Sequence, residues 1–201
     1  MSKMIKKANA FEILNHWVLA ASCFVLAISG FGFLFQLEQI GSLFGGFNQM
    51  KLIHNYAGIV FVASLFLTMF SYLPVSLSYS SEDIGWILTA GGYLSKKAVV
   101  PPQDIINTDQ KLYYLALLVV GYAISASGLV IWLMAGVKKW VLLSHLIHNI
   151  SFDLIVIMIP VHIYLGAIVN PGALRIMING TVPLEWAKEH HGKWVKKMGF
   201  E

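Results

Sequence analysis

The chain has 201 residues, of which 57% are hydrophobic and 12% are charged, and its formal net charge is +4. The charged residues cluster between long apolar runs, which is typical of a membrane protein and leaves no soluble domain of useful size. The positive charge therefore reflects membrane topology, and no nucleic acid partner is expected. The single cysteine, Cys23, excludes an internal disulfide.

Four apolar runs are long enough to cross a hydrocarbon core of about 30 Å, which takes roughly 20 residues of helix. They predict an all-α fold, an integral membrane four-helix bundle that forms a single domain over residues 1–201. The predicted spans are residues 13–36, 51–73, 111–136 and 141–169. A loop, 74–110, and a tail, 170–201, remain outside the membrane.

The lysines and arginines predict the orientation of these spans, because such residues accumulate on the cytoplasmic side. Eleven of the 14 lie in the N-terminus, in the connection after the second span, which includes Lys96, and in the tail. The other side carries only Lys51, Lys138 and Lys139. Both termini should therefore be cytoplasmic.

The loop and the tail contain local signals for further helices. The segment "SSEDIGWILTAGGYL" predicts a capped amphipathic helix that ends at Gly91 and Gly92 and lies along the membrane surface. In the tail, Thr181 is a cap candidate and Pro183 fits the first turn of a helix. His190 and His191 follow in a lysine-rich stretch, where we expect solvated side chains.

Histidines within the spans mark the candidate site, because ionisable residues inside a membrane are costly and usually functional. Since the spans alternate in direction, His16 lies near the inner end of the first helix and His54 near the outer end of the second. In the fourth helix, His148 is near the outer end and His162 near the inner end. The last two are about 21 Å apart along the helix axis and only about 40° apart around it, so they share one face.

An outer and an inner pair of histidines fit two bis-histidine haems, each held between two helices. A proton relay and a metal transport path also use histidine, and histidines hydrogen-bonded in a bundle core are the plain structural alternative. Glycines in the spans, including Gly30, Gly32 and Gly58, leave volume for a bulky planar ligand or allow close helix packing.

Other polar residues of the fourth helix are not assigned to the site. His145 lies off the shared face. Asp153 is about 140° from His148 and about 180° from His162, on the face turned away from both. We expect Asp153 to bond a neighbouring helix or a partner's helix, with a proton path as the alternative. Pro160 should kink the helix.

Several segments resemble a known family. They are "ILNHWVLA", "KLIHNYAG", "LIHNISFD", "PVHIYLGA" and the tail "GTVPLEWAKEHHGKW". Together they resemble the cytochrome b (gamma) subunit of respiratory membrane-bound formate dehydrogenases, within the wider di-haem cytochrome b family that also serves nickel–iron hydrogenases. The resemblance covers nearly the whole chain, and the tail and "NTDQK" favour formate dehydrogenase.

The resemblance implies two haem b cofactors, in agreement with the pairing by depth. His54 and His148 would ligate the outer haem iron, and His16 and His162 the inner one.

The resemblance also implies a quinone site beside the inner haem. Its residues would be Asn107, Asp109, Gln110 and His162. The family usually has glycine at the position of Asp109, whose carboxylate could instead help to deliver protons.

The implied function is electron transfer from a periplasmic iron–sulfur subunit, attached to a molybdenum- or tungsten-containing catalytic subunit, to menaquinone or ubiquinone at the cytoplasmic side. The chain would be a multi-pass protein of the prokaryotic inner membrane and not catalytic alone. A higher oligomer of the complex is a further expectation. Two alternatives stay open. One is the same di-haem role for a nickel–iron hydrogenase or another periplasmic oxidoreductase, and the other is a haem-free metal or proton transporter.

Overall fold

The computed structural model describes residues 3–95 and 97–200, so Lys96 and the extreme ends of the predicted 1–201 domain lie outside it. Most of the described residues are helical, and two short strands of three residues each are the described β-structure. The helices are α1 Ala10–Leu34, α2 Glu38–Leu43, α3 Phe47–Ser76, α4 Ser81–Leu88, α5 Thr108–Leu133, α6 Lys138–Ile163, α7 Pro171–Asn179, α8 Leu184–His190 and α9 Gly192–Lys197. A 3₁₀ turn, Ala90–Gly92, follows α4, and a π-helical segment, Tyr164–Val169, follows α6.

Four helices are long and apolar enough to cross a membrane, with mean hydropathy between 1.9 and 2.2 in their most apolar windows. They are Ala10–Leu34, Phe47–Ser76, Thr108–Leu133 and Lys138–Val169. The predicted class, an all-α membrane bundle, is confirmed. Each helix begins three or four residues before the predicted span, because its polar first turn continues the helix outside the apolar run.

The chain divides into two compact units. The helical unit comprises residues 14–68 and 118–164. The loop-and-tail unit comprises the described residues of 1–13, 69–117 and 165–201.

Small side chains occupy many buried positions of the helical unit, where they let helices approach closely. Its buried serines include Ser22, Ser29, Ser64, Ser127, Ser144 and Ser151. A Cβ atom at Gly30 would lie 2.8 Å from the Phe152 ring, and one at Gly32 would lie 2.9 Å from the Met50 sulfur. These two glycines therefore serve close packing, whereas a Cβ at Gly58 would meet no atom within 4 Å.

A two-stranded antiparallel sheet joins the two ends of the chain in the loop-and-tail unit. Strand β1, Met4–Lys6, pairs with strand β2, Thr181–Pro183, and Ile5 lies opposite Val182. The sheet belongs to a core that also contains Ala8, Ile176, Ala187, Trp194 and Val195. The expectation that Thr181 caps a helix is wrong, because its backbone pairs with Lys6 and α8 begins after Pro183.

Helix α4 has the predicted cap. The backbone N–H and the hydroxyl of Ser80 both donate to the Asp83 carboxylate, at 2.7 and 2.9 Å. The helix ends before Gly91 and Gly92, whose φ angles of 60° and 79° lie in the left-handed region that favours glycine. Its exposed apolar side chains are Ile84, Ile87 and Leu88. The placement of α4 along the membrane surface stays a prediction.

Candidate functional site

The four span histidines meet in two pairs inside the helical unit. His54 of α3 faces His148 of α6, with ring centroids 6.4 Å apart and ring planes 60° apart. His16 of α1 faces His162 of α6, at 6.2 Å and 55°. These are the partners that helix depth predicts, and α6 contributes one histidine to each pair.

The ring separations fit a shared metal. A metal–imidazole bond is about 2 Å long and the ring centroid lies about 1 Å behind the bonding nitrogen, so two rings on one metal have centroids about 6 Å apart. Both pairs have this spacing. Each pair could thus hold one haem iron between its two imidazole rings. Among the described residues, no three His, Cys, Asp or Glu side chains cluster as a metal site.

A buried serine fixes the protonation of His54. The Ser29 hydroxyl donates its only proton to the carbonyl of Val25, at 2.6 Å. The Ser29 oxygen lies 2.7 Å from Nδ1 of His54, so it must accept the Nδ1 proton. Nε2 of His54 therefore keeps its lone pair, which is the state that an iron ligand needs.

A serine oxygen also lies at hydrogen-bond distance from Nδ1 of His148. The Ser127 hydroxyl donates to the carbonyl of Ala123, at 2.7 Å, and its oxygen lies 3.1 Å from Nδ1 of His148. The Ile124 carbonyl, 3.0 Å from Nδ1, is a second acceptor. Gly128 lets the ring approach, because a Cβ there would lie 3.1 Å from Cε1 of His148. Sequence reasoning missed both serines, since serines are common in membrane helices and no local pattern singles these out.

Different contacts surround the other pair. The ring of Trp17 lies edge-on to His16, with centroids 5.4 Å apart. The side-chain amide of the preceding residue, Asn15, donates to the Ser64 carbonyl at 3.1 Å and to the Thr68 hydroxyl at 2.9 Å. This bridge between α1 and α3 holds the helical turn that carries His16.

His145 and Asp153 of α6 are not members of the two ring pairs. His145 and Asp153 are both exposed, whereas Ser151 and Phe152 are buried. His162 is exposed as well, so the placement of Asp153 on a face turned away from the histidines stays a prediction, as does its bond to a partner.

The segment predicted for quinone binding lies in the loop-and-tail unit. The backbone N–H of Asn107 donates to the Gln110 side chain at 3.2 Å, and the backbone N–H of Gln110 donates to the Asn107 side chain at 3.4 Å. This reciprocal cap engages both amide oxygens and leaves the two NH₂ groups as donors for a ligand carbonyl. One carboxylate oxygen of Asp109, Oδ1, is buried without a hydrogen-bond partner. His162, the fourth predicted residue, belongs to the helical unit.

A buried ion pair anchors this segment to α4. The Lys111 ammonium donates to both oxygens of Asp83, at 2.8 and 2.9 Å, and to the Ser78 carbonyl at 2.8 Å. The Thr108 hydroxyl also donates to Asp83, at 2.7 Å. Burial opposes ionisation of Asp83, but these hydrogen bonds outweigh it and lower its pKa to about 2.

His191 contradicts the sequence expectation. It was expected to be solvated, but it is 1% exposed and its ring packs against Trp194 and Trp186. His190 is half-buried and stacks on Trp186, with centroids 4.4 Å apart. Local spacing could not show this, because Lys7 and Asp104, which hydrogen-bond to the His191 ring, lie far from it in the chain.

Comparison with known proteins agrees with this geometry. The chain is similar to the cytochrome b556(fdo) subunit of formate dehydrogenase from Escherichia coli K12, with 27% identity over 96% of this chain and 93% of that protein. The cytochrome b556(Fdn) subunit of the nitrate-inducible formate dehydrogenase from the same strain is 28% identical over 98% and 93%. A formate dehydrogenase cytochrome b556 subunit from Haemophilus influenzae is 24% identical over 92% and 79%.

A family profile extends the comparison beyond individual relatives. The prokaryotic cytochrome b561 profile matches residues 7–180, which include all four paired histidines and the 107–111 segment. The family implies haem b, and the paired rings have the spacing that it requires. The chain therefore belongs to the prokaryotic cytochrome b561 family.

Proposed function

We propose that this chain is the membrane anchor and electron-transfer subunit of a formate dehydrogenase. It would carry two haems b and deliver electrons from a periplasmic iron–sulfur subunit to quinone at the cytoplasmic side. The observation that carries this proposal is the arrangement of four histidines in two pairs that share α6, each at the spacing of a bis-histidine iron site. The similarity to formate dehydrogenase cytochrome subunits over nearly the whole chain supports the choice of complex.

The chain's own residues would hold and tune the cofactors. His54 and His148 would ligate one haem iron, and His16 and His162 the other. Ser29 and Ser127 would keep the first pair in the tautomer that leaves Nε2 free for the metal. Bound haem supplies one-electron redox chemistry, and the protein supplies ligation, orientation and a low-dielectric setting.

Quinone would bind at the start of α5. The NH₂ groups of Asn107 and Gln110 would donate to a quinone carbonyl, because the side-chain oxygens of these residues accept hydrogen bonds in the helix cap. The family resemblance assigns Asp109 and His162 to quinone binding as well. The ion pair between Asp83 and Lys111 would hold this segment in position.

The orientation of the chain in the membrane determines whether electron transfer stores energy in the membrane potential. Pairing of β1 with β2 supports the placement of both chain ends on one side of the membrane, and the distribution of lysines favours the cytoplasm. We therefore propose a multi-pass protein of the prokaryotic inner membrane that forms one di-haem domain. Each electron that moves inward works against about 2.3 kcal/mol per 100 mV of membrane potential.

The partners follow from the relatives. Those proteins are cytochrome subunits of formate dehydrogenases, so we propose an iron–sulfur subunit and a molybdenum- or tungsten-containing catalytic subunit as partners. Mass spectrometry of the subunits that co-purify with the tagged chain tests this choice. Recovery of hydrogenase subunits would keep the di-haem role and replace the partner.

The decisive experiment is a reduced-minus-oxidised optical spectrum of detergent-purified protein, with haem quantified per chain. We expect a b-type spectrum and about two haems per chain, one for each histidine pair. Protein that is folded and free of haem would overturn the proposal and favour a transporter.

A further inference from the structure

Lys7 and His191 of the loop-and-tail unit form a hydrogen-bonded pair that lies outside the four paired histidines. Nδ1 of His191 lies 2.7 Å from the carbonyl oxygen of Asp104, so Nδ1 must carry the proton and donate it. Nε2 of the same ring is then an acceptor, and it receives a short hydrogen bond from the Lys7 ammonium. His191 thus holds the Lys7 side chain in one place.

This arrangement weakens the proton affinity of both groups. Burial, with help from the Lys7 charge, lowers the pKa of His191 to about 3, so the ring stays neutral. Burial lowers the pKa of Lys7 to about 7, although the negative charge of Asp109 opposes that shift. The Trp186 ring also faces the Lys7 ammonium, at 5.6 Å. The ammonium and amine forms of Lys7 are therefore both populated at neutral pH, which suits proton exchange.

Asp109 provides the matching acceptor in the first turn of α5. Its Oδ1 is buried without a hydrogen-bond partner, which is unfavourable unless a proton or a donor satisfies it. The charges of Lys7 and His190 both act on this carboxylate, and Asp109 in turn acts on the Tyr93 hydroxyl. Lys7 and Asp109 are both half-buried, although the Oδ1 atom of Asp109 is covered.

We propose that Lys7 passes protons to Asp109 and that Asp109 passes them to a quinone bound at Asn107 and Gln110. This inference rests on the proposed quinone site. Quinone takes two electrons from the chain's redox cofactors and two protons to become quinol. For each proton, the Asp109 O–H bond breaks as an O–H bond forms on a quinone oxygen. A Lys7 N–H bond then breaks, and its proton returns Asp109 to the protonated form. The Lys7 amine regains its proton from the cytoplasm, and His191 is a positioning residue.

The test uses the whole complex with formate as donor and decylubiquinone or menadione as acceptor. Lys7→Met removes the ionisable group, and Lys7→Arg keeps a charge that does not release its proton near neutral pH. We expect both variants to lose about 10²-fold in kcat for quinone reduction. The wild-type kcat should fall as pH rises through about 7, where the ammonium is lost, and both variants should lose this dependence. Lys6→Met, which changes the exposed neighbour on β1, should match the wild type.

Haem reduction by formate without quinone separates the two proposals. We expect it to be unchanged in all three variants, because Lys7 lies outside the histidine pairs. Normal quinone reduction with Lys7→Arg would overturn the proton route alone. Wild-type complex whose haems formate reduces, but which does not pass electrons to quinone, would overturn the proposed function and the route with it.

A second readout does not depend on activity. Trace acetic anhydride modifies only unprotonated amines, and peptide mass spectrometry reports the modified fraction of each lysine. Modification of Lys7 should be half-maximal near pH 7 in the complex. Modification that begins only near the ordinary lysine pKa of about 10.4 would overturn the proposal.

Discussion

Ser29 and Ser127 show how two hydroxyl groups can decide the state of two buried imidazoles. Each hydroxyl donates to its own helix and therefore presents only its oxygen to the neighbouring ring. Outer hydrogen bonds of this kind orient ligand rings and raise their basicity. His54 depends on one such acceptor, whereas His148 has the Ile124 carbonyl as a second.

This difference makes a prediction. Ser29→Ala should weaken haem binding by His54 about 10- to 100-fold, because Nδ1 loses its acceptor. Ser127→Ala should have a smaller effect, because the Ile124 carbonyl remains. Haem retained per chain after dilution into haem-free detergent measures both.

Ser22→Ala is the matched control for these variants. Ser22 is buried on the same helix as Ser29, but its hydroxyl donates to the Leu19 carbonyl. Equal haem loss in Ser22→Ala and Ser29→Ala would show that helix packing, and not the ligand hydrogen bond, explains the effect.

At the scale of elements, one ion pair joins α4 to the start of α5. Asp83→Asn would leave the Lys111 ammonium buried without its counter-charge, which costs about 3–5 kcal/mol. We expect a clear fall in the thermal denaturation temperature of the detergent-purified protein. We also expect a raised KM for quinone, because the pair holds the 107–111 segment.

The more exposed pair between Glu82 and Lys193 provides the control. Glu82→Gln should change thermal stability little, because water screens this pair. A similar loss of stability in both variants would contradict the role of the buried pair.

Because the folded pKa of Asp83, about 2, lies below the ordinary value, its stabilisation is present above pH 4 and is lost as pH falls towards 2.

The elements also show what a sequence can predict. The four spans were predictable because about 20 apolar residues in a row have few other uses. The cap at Ser80 was equally local, since the acid that completes it follows three residues later. Strands β1 and β2 were not predictable, because each has three residues and its partner lies more than 170 positions away. Thr181 was misread as a helix cap for that reason.

For the whole molecule, α6 supplies one histidine to each pair. We therefore expect a histidine variant of one pair to lose one haem and keep the other. His16→Ala should leave about one haem per chain, still reducible by formate, and abolish quinone reduction. His54→Ala should remove the other haem. His145→Ala, an exposed histidine of the same helix, should retain two. Loss of both haems in His16→Ala would contradict independent pairs.

Those site residues that are rare in membrane helices could be predicted from the sequence, and those that are common there could not. Histidines inside apolar helices stand out, because an ionisable group there is costly. The depth argument could then assign partners, and the rings meet in those pairs. Ser29 and His191 did not stand out, since serine is ordinary in membrane helices and the burial of His191 depends on residues from the other end of the chain.

The sheet between β1 and β2 sets an order for biosynthesis. β1 leaves the ribosome first, but its partner follows only after every membrane helix has been made. At about 5–20 residues per second, β1 waits roughly 10 to 35 seconds for β2. During that interval Ile5 has no strand to cover it, so the N-terminus is free to engage insertion factors. Closure of the sheet therefore marks a chain whose last membrane helix has already been synthesised.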